Sequence, residues 1–253
     1  MGKLSGKHAV VTGGGSGVGA AIARKLAKAG ATVTVSGRRQ QALDEVAKTQ
    51  DGITARTCDV TDPGSVASLF SSVSDDHGGV DIVIANAGAA QATPFAKLDV
   101  ESWRKTIDVN LTGVYLTLHA GVAAMENKDW GRIITIASVA GLRGYPYVAH
   151  YCAAKHGAVG LTRSVAMELA TSGVTVNAIC PGYTETPMLV QALDNVMDKT
   201  GMNRDEAIKA LLRTNPMGRF IQPDEVAQTV LWLCGPNSGA ITGQAVSVSG
   251  GEV

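Results

Sequence analysis

Residues 8–19 of the chain read HAVVTGGGSGVG, an apolar run that ends in a cluster of glycines. The β-branched residues predict a buried strand, and the small and apolar residues after the glycines predict a helix. Gly13 allows the sharp turn between them, Gly17 lets the backbone approach a phosphate closely, and Gly19 lets the helix pack against the sheet. The unpaired N–H groups and the positive dipole end of such a helix favour a pyrophosphate. We therefore predict a dinucleotide site at this turn.

Outside this turn, strand-like and helix-like segments alternate along the chain. Strands are predicted at 8–12, 32–36, 54–58, 81–85, 132–136, 175–179 and 244–248, and helices at 18–30, 40–49, 62–73, 101–125, 151–169 and 223–234. This alternation predicts an α/β fold with a doubly wound parallel sheet of the Rossmann type. No Pro/Gly/Ser-rich linker divides the chain, so we predict a single dinucleotide-binding and catalytic domain over residues 1–253. The segment 183–220 breaks the alternation and is predicted to be a substrate-loop insertion that contains helical pieces.

Composition narrows the class of protein. The chain has 253 residues, 45% of them apolar and 17% charged, which suits a large buried core. Lys plus Arg and Asp plus Glu both number 22, and no basic run is present, so we expect no nucleic-acid partner. The sequence has no secretory signal pattern and no apolar stretch of about 18 residues, which predicts a cytoplasmic protein with no membrane partner. Four widely spaced cysteines without nearby histidines predict buried free thiols and no metal site: Cys58, Cys152, Cys180 and Cys234.

The spacing of the glycine turn, T-G-x-x-x-G-x-G, resembles that of the short-chain dehydrogenase/reductase family. Further motifs of the family occur in order over almost the whole chain: Asp59 in C-D-V, Asn86-Ala87-Gly88, Asn110 in V-N-L, Ser138, Tyr151-x-x-x-Lys155, and Pro181-Gly182 followed by Thr186. The resemblance implies a Rossmann-type oxidoreductase that moves a hydride between a nicotinamide dinucleotide and a carbonyl or secondary alcohol. The closing residues are similar, more loosely, to those of 3-oxoacyl-thioester reductases and polyketide ketoreductases.

Two residues of this set share one face of a predicted helix, because Tyr151 and Lys155 are four positions apart. A free tyrosine has a pKa near about 10, too high for easy proton exchange at neutral pH. We expect the nearby ammonium to lower that pKa. By resemblance, Tyr151 is the acid/base, Ser138 holds the substrate oxygen, and Lys155 also binds the nicotinamide ribose. The family also implies that Asn110 kinks its helix and holds a water in a proton relay.

The end of the second predicted strand bears on the choice of cofactor. An acid there would bind the adenosine ribose and repel a 2′-phosphate. This chain has Gly37 followed by Arg38 and Arg39, and a guanidinium pairs well with a phosphate, so we predict NADP(H). Some NADP-binding relatives carry a basic residue in the glycine loop. This chain has Ser16 there, so NAD remains an alternative cofactor. The full predicted cofactor set is Gly13, Ser16, Gly17, Val18, Gly19, Arg38, Arg39, Asp59, Val60, Asn86, Gly88, Tyr151, Lys155, Pro181, Gly182, Thr184 and Thr186.

The substrate pocket is predicted from the loop after Ser138, the residues before Tyr151 and the insertion. Four apolar or aromatic side chains are its candidate lining: Leu142, Tyr145, Tyr183 and Met188. The most favoured substrate is a 3-oxoacyl thioester or a similar ketone. An NAD-dependent alcohol or hydroxyacyl-CoA dehydrogenase and a catalytically silent dinucleotide-binding scaffold stay open. A homotetramer, in which the helices at 101–125 and 151–169 could pair across subunits, is expected by analogy with the family.

Overall fold

The strand that carries HAVVT lies in the interior of the sheet. In the computed structural model, which describes residues 2–253, seven parallel strands have the order β3-β2-β1-β4-β5-β6-β7. Their bounds are β1 (His8–Thr12), β2 (Thr32–Gly37), β3 (Ile53–Thr57), β4 (Ile82–Ala85), β5 (Gly131–Ile136), β6 (Val174–Pro181) and β7 (Ala245–Val248). The doubly wound parallel sheet is therefore confirmed. Because β1 pairs with both β2 and β4, the winding reverses beside β1, where this fold class binds its ligands.

Consecutive residues of β1 face opposite sides of the sheet. Ala9 and Val11 belong to one buried cluster, which includes Ile22, while Val10 belongs to another, which includes Leu118. All five residues of β1 are buried. A strand covered on both faces needs a continuous apolar run rather than an alternating one, as the sequence has here.

Helices cover both faces of the sheet. Side chains of α1 (Gly17–Lys28), α2 (Gln40–Ala47) and α9 (Pro223–Leu233) contribute to the first cluster. Side chains of α3 (Pro63–His77), α5 (Gly113–Ala124) and α6 (Ala149–Glu168) contribute to the second. Five of these helices match predicted ones with bounds that differ by a few residues, and α5 forms the second half of the helix predicted at 101–125.

The helix predicted at 101–125 is interrupted. The structure has α4 (Val100–Ile107), a π-helical turn (Asp108–Thr112) and then α5. Single π turns inside a longer helix occur frequently at functional sites. Since apolar periodicity does not distinguish a π turn from an α turn, the sequence predicts the helix but not its widened turn.

The insertion contains two helices, α7 (Pro187–Thr200) and α8 (Arg204–Leu212). The Thr186 side chain caps α7, with Pro187 in its first turn, and Gly201 ends it in a left-handed conformation. Asn203 and Glu206 form a capping box that starts α8. The segment is thus an ordered helical pair beside the carboxyl end of β6.

All four cysteines are buried free thiols, as predicted. Within residues 2–253, no helix has both the length and the apolar character needed to cross a bilayer.

Candidate active site

The glycine turn is fixed by a side chain from the neighbouring strand. Gly13 has a φ of +64°, and the Asn86 Nδ2 donates hydrogen bonds to the Thr12 oxygen at 2.9 Å and to the Gly13 oxygen at 3.0 Å. A Cβ on Gly19 would lie 2.4 Å from the Gly13 oxygen and 2.5 Å from Asn86 Nδ2. Such distances exclude a side chain, so Gly19 is required by the close contact between α1 and the turn.

The start of α1 has the properties of an anion site. Ser16 is the exposed, extended N-cap residue, and among the described residues its side chain makes no capping bond and the first turn has no acid. The first N–H groups of α1 therefore keep their donor capacity for a ligand. Across the turn, the Thr186 Cγ2 would be 3.0 Å from a Cβ on Gly17. The structure thus brings Thr186 to the glycine turn, and both fit a dinucleotide pyrophosphate.

Charged side chains mark the end of this site beyond β2. Arg38 and Arg39 are exposed and directly follow Gly37, the last residue of β2. The Asp59 carboxylate accepts hydrogen bonds from the Thr61 N–H at 3.0 Å and from its hydroxyl at 2.8 Å. These bonds lower the pKa of Asp59, and the positive charge of Arg38 contributes to the same shift. Arg38 and Asp59 are therefore close enough to act on one ligand.

The neighbouring Val60 points into the protein core, unlike Arg38 and Asp59. Its side chain is buried, and its Cγ2 would lie 2.8 Å from a Cβ on Gly113 of α5. Contact with an adenine would consequently come from the main chain of Val60.

Ser138 and Tyr151 meet beyond the carboxyl end of β5. Ser138 follows this strand, and its Oγ accepts a hydrogen bond from the Ala140 N–H at 3.1 Å, which caps a short 3-10 turn. Tyr151 lies in the first turn of α6. Burial raises the pKa of Tyr151 to about 12, and a hydrogen bond with the Ser138 hydroxyl opposes that rise. The phenol is therefore protonated at neutral pH.

Lys155 lies one helical turn further along α6 and is buried, with 3% of its surface exposed. Its Nζ donates to the Ile136 carbonyl oxygen at 2.9 Å and lies 5.6 Å from the centroid of the Tyr151 ring. Burial lowers the pKa of Lys155 to about 8. The shared helix face is confirmed, but the expected fall in the pKa of Tyr151 is wrong for this structure, because burial of the phenol outweighs the other influences on it.

Asn110 lies within the π turn and is fully buried. Its Nδ2 donates to the Ala89 oxygen at 2.8 Å and to the Thr106 oxygen at 3.0 Å, and its Oδ1 accepts from the Ala89 N–H at 3.2 Å. A Cβ on Gly88 would lie 2.9 Å from the Asn110 Oδ1 and 3.6 Å from the Lys155 Nζ. Asn110 thus holds the loop after β4 against the lysine. Its water relay stays a prediction.

Three of the predicted substrate residues have partners in the protein. Leu142 packs on a small buried cluster beside β6, and Tyr183 packs on the cluster between α7 and α8. The Tyr145 hydroxyl donates to Glu252 Oε1 at 2.7 Å. Met188 is 40% exposed in the first turn of α7. The remaining predicted residues of this region are Pro181, Gly182 and Thr184, between β6 and Thr186. The Thr184 hydroxyl donates to the Gly182 oxygen, and the Thr186 hydroxyl donates to the Thr184 oxygen.

Sequence reasoning missed two residues of this region. Glu252 is buried, and its carboxylate accepts hydrogen bonds from both Tyr145 and Thr214, which are 107 and 38 positions away. Because these contacts are so distant along the chain, the local sequence around Glu252 and Thr214 gives no signal of them. Thr106 and Thr12 are similar cases, since only the fold reveals that their oxygens support Asn110 and Asn86.

Comparisons with known proteins agree with this geometry. A family model described as enoyl-(acyl carrier protein) reductase matches residues 13–252. The chain is 40% identical to D-beta-hydroxybutyrate dehydrogenase of Rhizobium meliloti over 252 residues, which cover 97% of this chain and 98% of the relative. It is 39% identical to a putative ketoacyl reductase of Streptomyces coelicolor over 249 residues, covering 96% and 95% of the two chains.

A solved structure supports the same relationship. A single-substitution variant of actinorhodin polyketide ketoreductase, crystallised with NADPH, superposes with a TM-score of 0.95 at 38% identity. The alignment covers 100% of this chain and 99% of the other.

Proposed function

This chain belongs to the short-chain dehydrogenase/reductase family and is an NAD(P)-dependent oxidoreductase, and on that premise we propose that it reduces a ketone with NADPH. The observation that carries the proposal is the grouping of Ser138, Tyr151 and Lys155 at the carboxyl end of β5, on the same sheet edge as the glycine turn. Ligands of open parallel sheets bind at this edge.

These three residues can together reduce a bound ketone. When bound, NADPH supplies the hydride that adds to the carbonyl carbon. The Ser138 hydroxyl donates a hydrogen bond to the carbonyl oxygen, and the Tyr151 phenol gives that oxygen its proton as negative charge develops there. With pKa values of about 8 for Lys155 and about 12 for Tyr151, the ammonium is the stronger acid. Lys155 can therefore return a proton to the phenolate, which prepares the site for another turnover.

The cofactor is proposed to be NADP(H). Gly37 leaves no acid at the end of β2, and Arg38 and Arg39 are exposed beside it. A guanidinium at this position can form a bidentate pair with a 2′-phosphate. The ketoreductase that superposes on this chain was crystallised with NADPH.

The substrate is proposed to be a 3-oxoacyl thioester or a similar ketone. The ketoacyl reductase of Streptomyces coelicolor and the polyketide ketoreductase support this class. Tyr145, Tyr183 and Met188 supply an apolar and aromatic wall with few charges.

A second candidate is the oxidation of a short hydroxy acid or alcohol with NAD. The similarity to D-beta-hydroxybutyrate dehydrogenase favours it. In this direction the Tyr151 oxygen would accept the proton of the substrate hydroxyl.

We also infer that the chain forms a homotetramer through α4, α5 and α6. Trp103, Tyr115 and Met167 on these helices are 40%, 47% and 81% exposed. Large exposed apolar side chains on neighbouring elements are a frequent mark of a subunit interface.

The test compares NADPH with NADH on acetoacetyl-CoA, a 3-oxoacyl N-acetylcysteamine thioester and cyclohexanone, and NAD(P) on 3-hydroxybutyrate. We expect the highest kcat/KM with NADPH and a thioester. Tyr151→Phe should lower kcat by at least about 100-fold, because the ring remains but the proton donor is lost. NADPH should still bind this variant in a fluorescence titration, because the rest of the predicted cofactor set is intact.

Tyr115→Phe is the matched control, since it removes a phenol hydroxyl from an exposed position on α5. A kcat/KM about tenfold higher with NADH would refute the cofactor proposal. Tight NADPH binding without turnover of any compound would instead identify a dinucleotide-binding scaffold.

A further inference from the structure

The Glu252 carboxylate joins three segments around the proposed substrate pocket. Its Oε1 accepts hydrogen bonds from the hydroxyls of Tyr145 and Thr214. Its Oε2 lies 3.4 Å from the position of a Cβ on Gly182, at the end of β6. We call this group of Tyr145, Thr214 and Glu252 the carboxylate clasp.

The first segment held by the clasp is the loop between Ser138 and Tyr151. Tyr145 lies near the middle of this loop, and the Arg143 guanidinium is 5.1 Å from the centroid of its ring. The Arg143 Nη1 also donates to the Glu252 main-chain oxygen at 3.3 Å. Two side chains of the loop are therefore fastened to one residue.

The second segment is the turn that follows α8 and ends the insertion. Besides the Thr214 contact, the Met217 N–H donates to the Gly250 oxygen at 3.2 Å. The Asn215 Nδ2 donates to the Arg219 oxygen at 3.1 Å, which holds the turn closed. The residues after β7 thus connect this turn to the Ser138–Tyr151 loop.

The third segment contains Tyr183, which follows Gly182. Burial raises the pKa of both Tyr145 and Tyr183, and the negative charge of Glu252 adds to each rise, so this carboxylate lies near both phenols. Both tyrosines belong to the proposed wall of the pocket. The clasp therefore acts on the two aromatic residues that a ketone would meet.

Joining three segments through a buried carboxylate is energetically unfavourable. Glu252 is only 7% exposed, and its Oε2 is buried without a hydrogen-bond partner among residues 2–253. Burying a charged group with incomplete hydrogen bonding is unfavourable, whereas an apolar residue would fill the same space without that cost. What a carboxylate adds is directional acceptance of two hydroxyls, which fixes the orientation of each partner.

We propose that Glu252 is a positioning residue that sets the shape of the ketone pocket by holding Tyr145 and Thr214, while the dinucleotide site is independent of it. The inference deepens the proposed function and rests on it for its kinetic part. Glu252 would thus influence which substrate binds, although it is not one of the proposed catalytic residues Ser138, Tyr151 and Lys155.

The experiment measures KM for the thioester, kcat, and the Kd of NADPH in three variants. Glu252→Ala should raise KM about tenfold, change kcat less than about threefold, and leave the Kd of NADPH within about twofold. Glu252→Gln should restore KM to within about threefold of the unmodified protein, because its amide oxygen can still accept both hydroxyls. Val253→Ala is the matched control, since this neighbouring side chain is 45% exposed.

Two milder variants keep the proposal testable if Glu252→Ala fails to fold. Tyr145→Phe and Thr214→Val each remove one bond to the carboxylate and should raise KM about threefold. In the double variant Tyr145→Phe/Glu252→Ala, KM should equal that of Glu252→Ala alone, since both changes break the same contact.

Hydrogen exchange provides a readout that does not need turnover. Amides in 142–148 and 213–218 should exchange faster in Glu252→Ala, or in the two milder variants, while those of the glycine turn should not. Equal exchange in these segments, or a loss of NADPH affinity as large as the loss of ketone affinity, would overturn the proposal. If the unmodified protein reduces no ketone, the proposed function fails, and the exchange result alone decides whether the clasp exists.

Discussion

Lys155 combines a functional position with an unfavourable environment. Its ammonium is buried and has one hydrogen bond, to the Ile136 carbonyl. Its pKa falls from 10.5 to about 8, which means that the folded state disfavours the charged form. At about 1.4 kcal/mol per pKa unit, the fall corresponds to about 3 kcal/mol of lost stability at neutral pH. Active-site residues commonly carry such a cost.

We predict that Lys155→Met is more stable than the unmodified protein at pH 7 but has lost most of its activity. Loss of the bond to the Ile136 oxygen offsets part of the gain, which leaves about 1–2 kcal/mol. The ammonium is charged in both states below pH 8, so the gain is fully present there. It is lost as the pH rises from about 8 to 10.5, where the unfolded lysine also becomes neutral.

Urea unfolding of both proteins at pH 7 and pH 10 measures this difference. Lys128→Met is a control, because Lys128 is partly exposed and paired with Asp81, so its loss should destabilise the protein or have little effect. A Lys155→Met variant that is less stable at pH 7 would contradict the inferred cost of burial.

The sequence predicts those individual site residues whose chemistry follows from a local motif. The glycines, Ser138, Tyr151 and Lys155 are of this kind, because turn geometry and helical spacing place them. The raised pKa of Tyr151 was not predictable, because it depends on how much of the phenol the whole fold covers. Glu252 and Thr214 escape prediction for the related reason that their contacts are made by distant segments.

The π turn is the element that most directly shapes the site. Its Asn110 side chain makes three hydrogen bonds, two of them to the Ala89 backbone in the loop after β4. The same loop contains Gly88, close to Lys155. The π turn therefore fixes the loop that contacts Lys155, and so helps to fix the position of the lysine side chain.

We predict that Asn110→Ala lowers the free energy of unfolding by about 2–4 kcal/mol and lowers kcat by at least about tenfold. The substitution removes all three hydrogen bonds of the buried Asn110 amide, two of them to the Ala89 backbone, and frees the loop beside Lys155. Thermal unfolding and steady-state kinetics measure the two effects.

Thr117→Val is the matched control on the next helix. Thr117 is also buried, but its hydroxyl only donates to the Gly113 oxygen one turn earlier. This change should cost less than about 1 kcal/mol and leave kcat unaltered. If both variants lose kcat equally, packing of the helix rather than the Asn110 contacts sustains the site.

Helices and strands were predictable as elements because their apolar periods differ. The prediction at 101–125 did not reveal the π turn, since one extra residue barely alters an apolar pattern. The helical pieces predicted within the insertion correspond to α7 and α8, whose capping residues are Thr186 and Asn203.

The whole molecule exposes apolar side chains that a monomer has no need to display. Met167 on α6 is the most exposed of them, at 81%. We predict that Met167→Glu shifts the protein from tetramers to smaller species, because a buried unpaired carboxylate would disfavour the interface. Light scattering during gel filtration measures the mass directly.

Phe95→Glu is the control for this prediction. Phe95 is similarly exposed, at 76%, but lies outside α4, α5 and α6. The same fall in mass for both variants, or for neither, would argue against an interface on these helices.

The alternation of elements predicts a parallel doubly wound sheet but not the order of its strands. That order follows from long crossovers, which bring β1 beside β4 although many residues separate them. The grouping of site residues at one edge follows from it, since only parallel strands place all their carboxyl ends together.

The interior position of β1, with a partner strand on each side, also affects how the chain folds. Ala9 pairs with Val33 on one side and with Ile82 on the other, so its two neighbours become available at very different stages of chain elongation. Between those stages an apolar strand has an open edge, which is the kind of surface that self-associates. In a nascent chain, β1, the strand that leads into the glycine turn, therefore needs protection from self-association until β4 has been synthesised. A molecular chaperone or a low protein concentration would provide that protection.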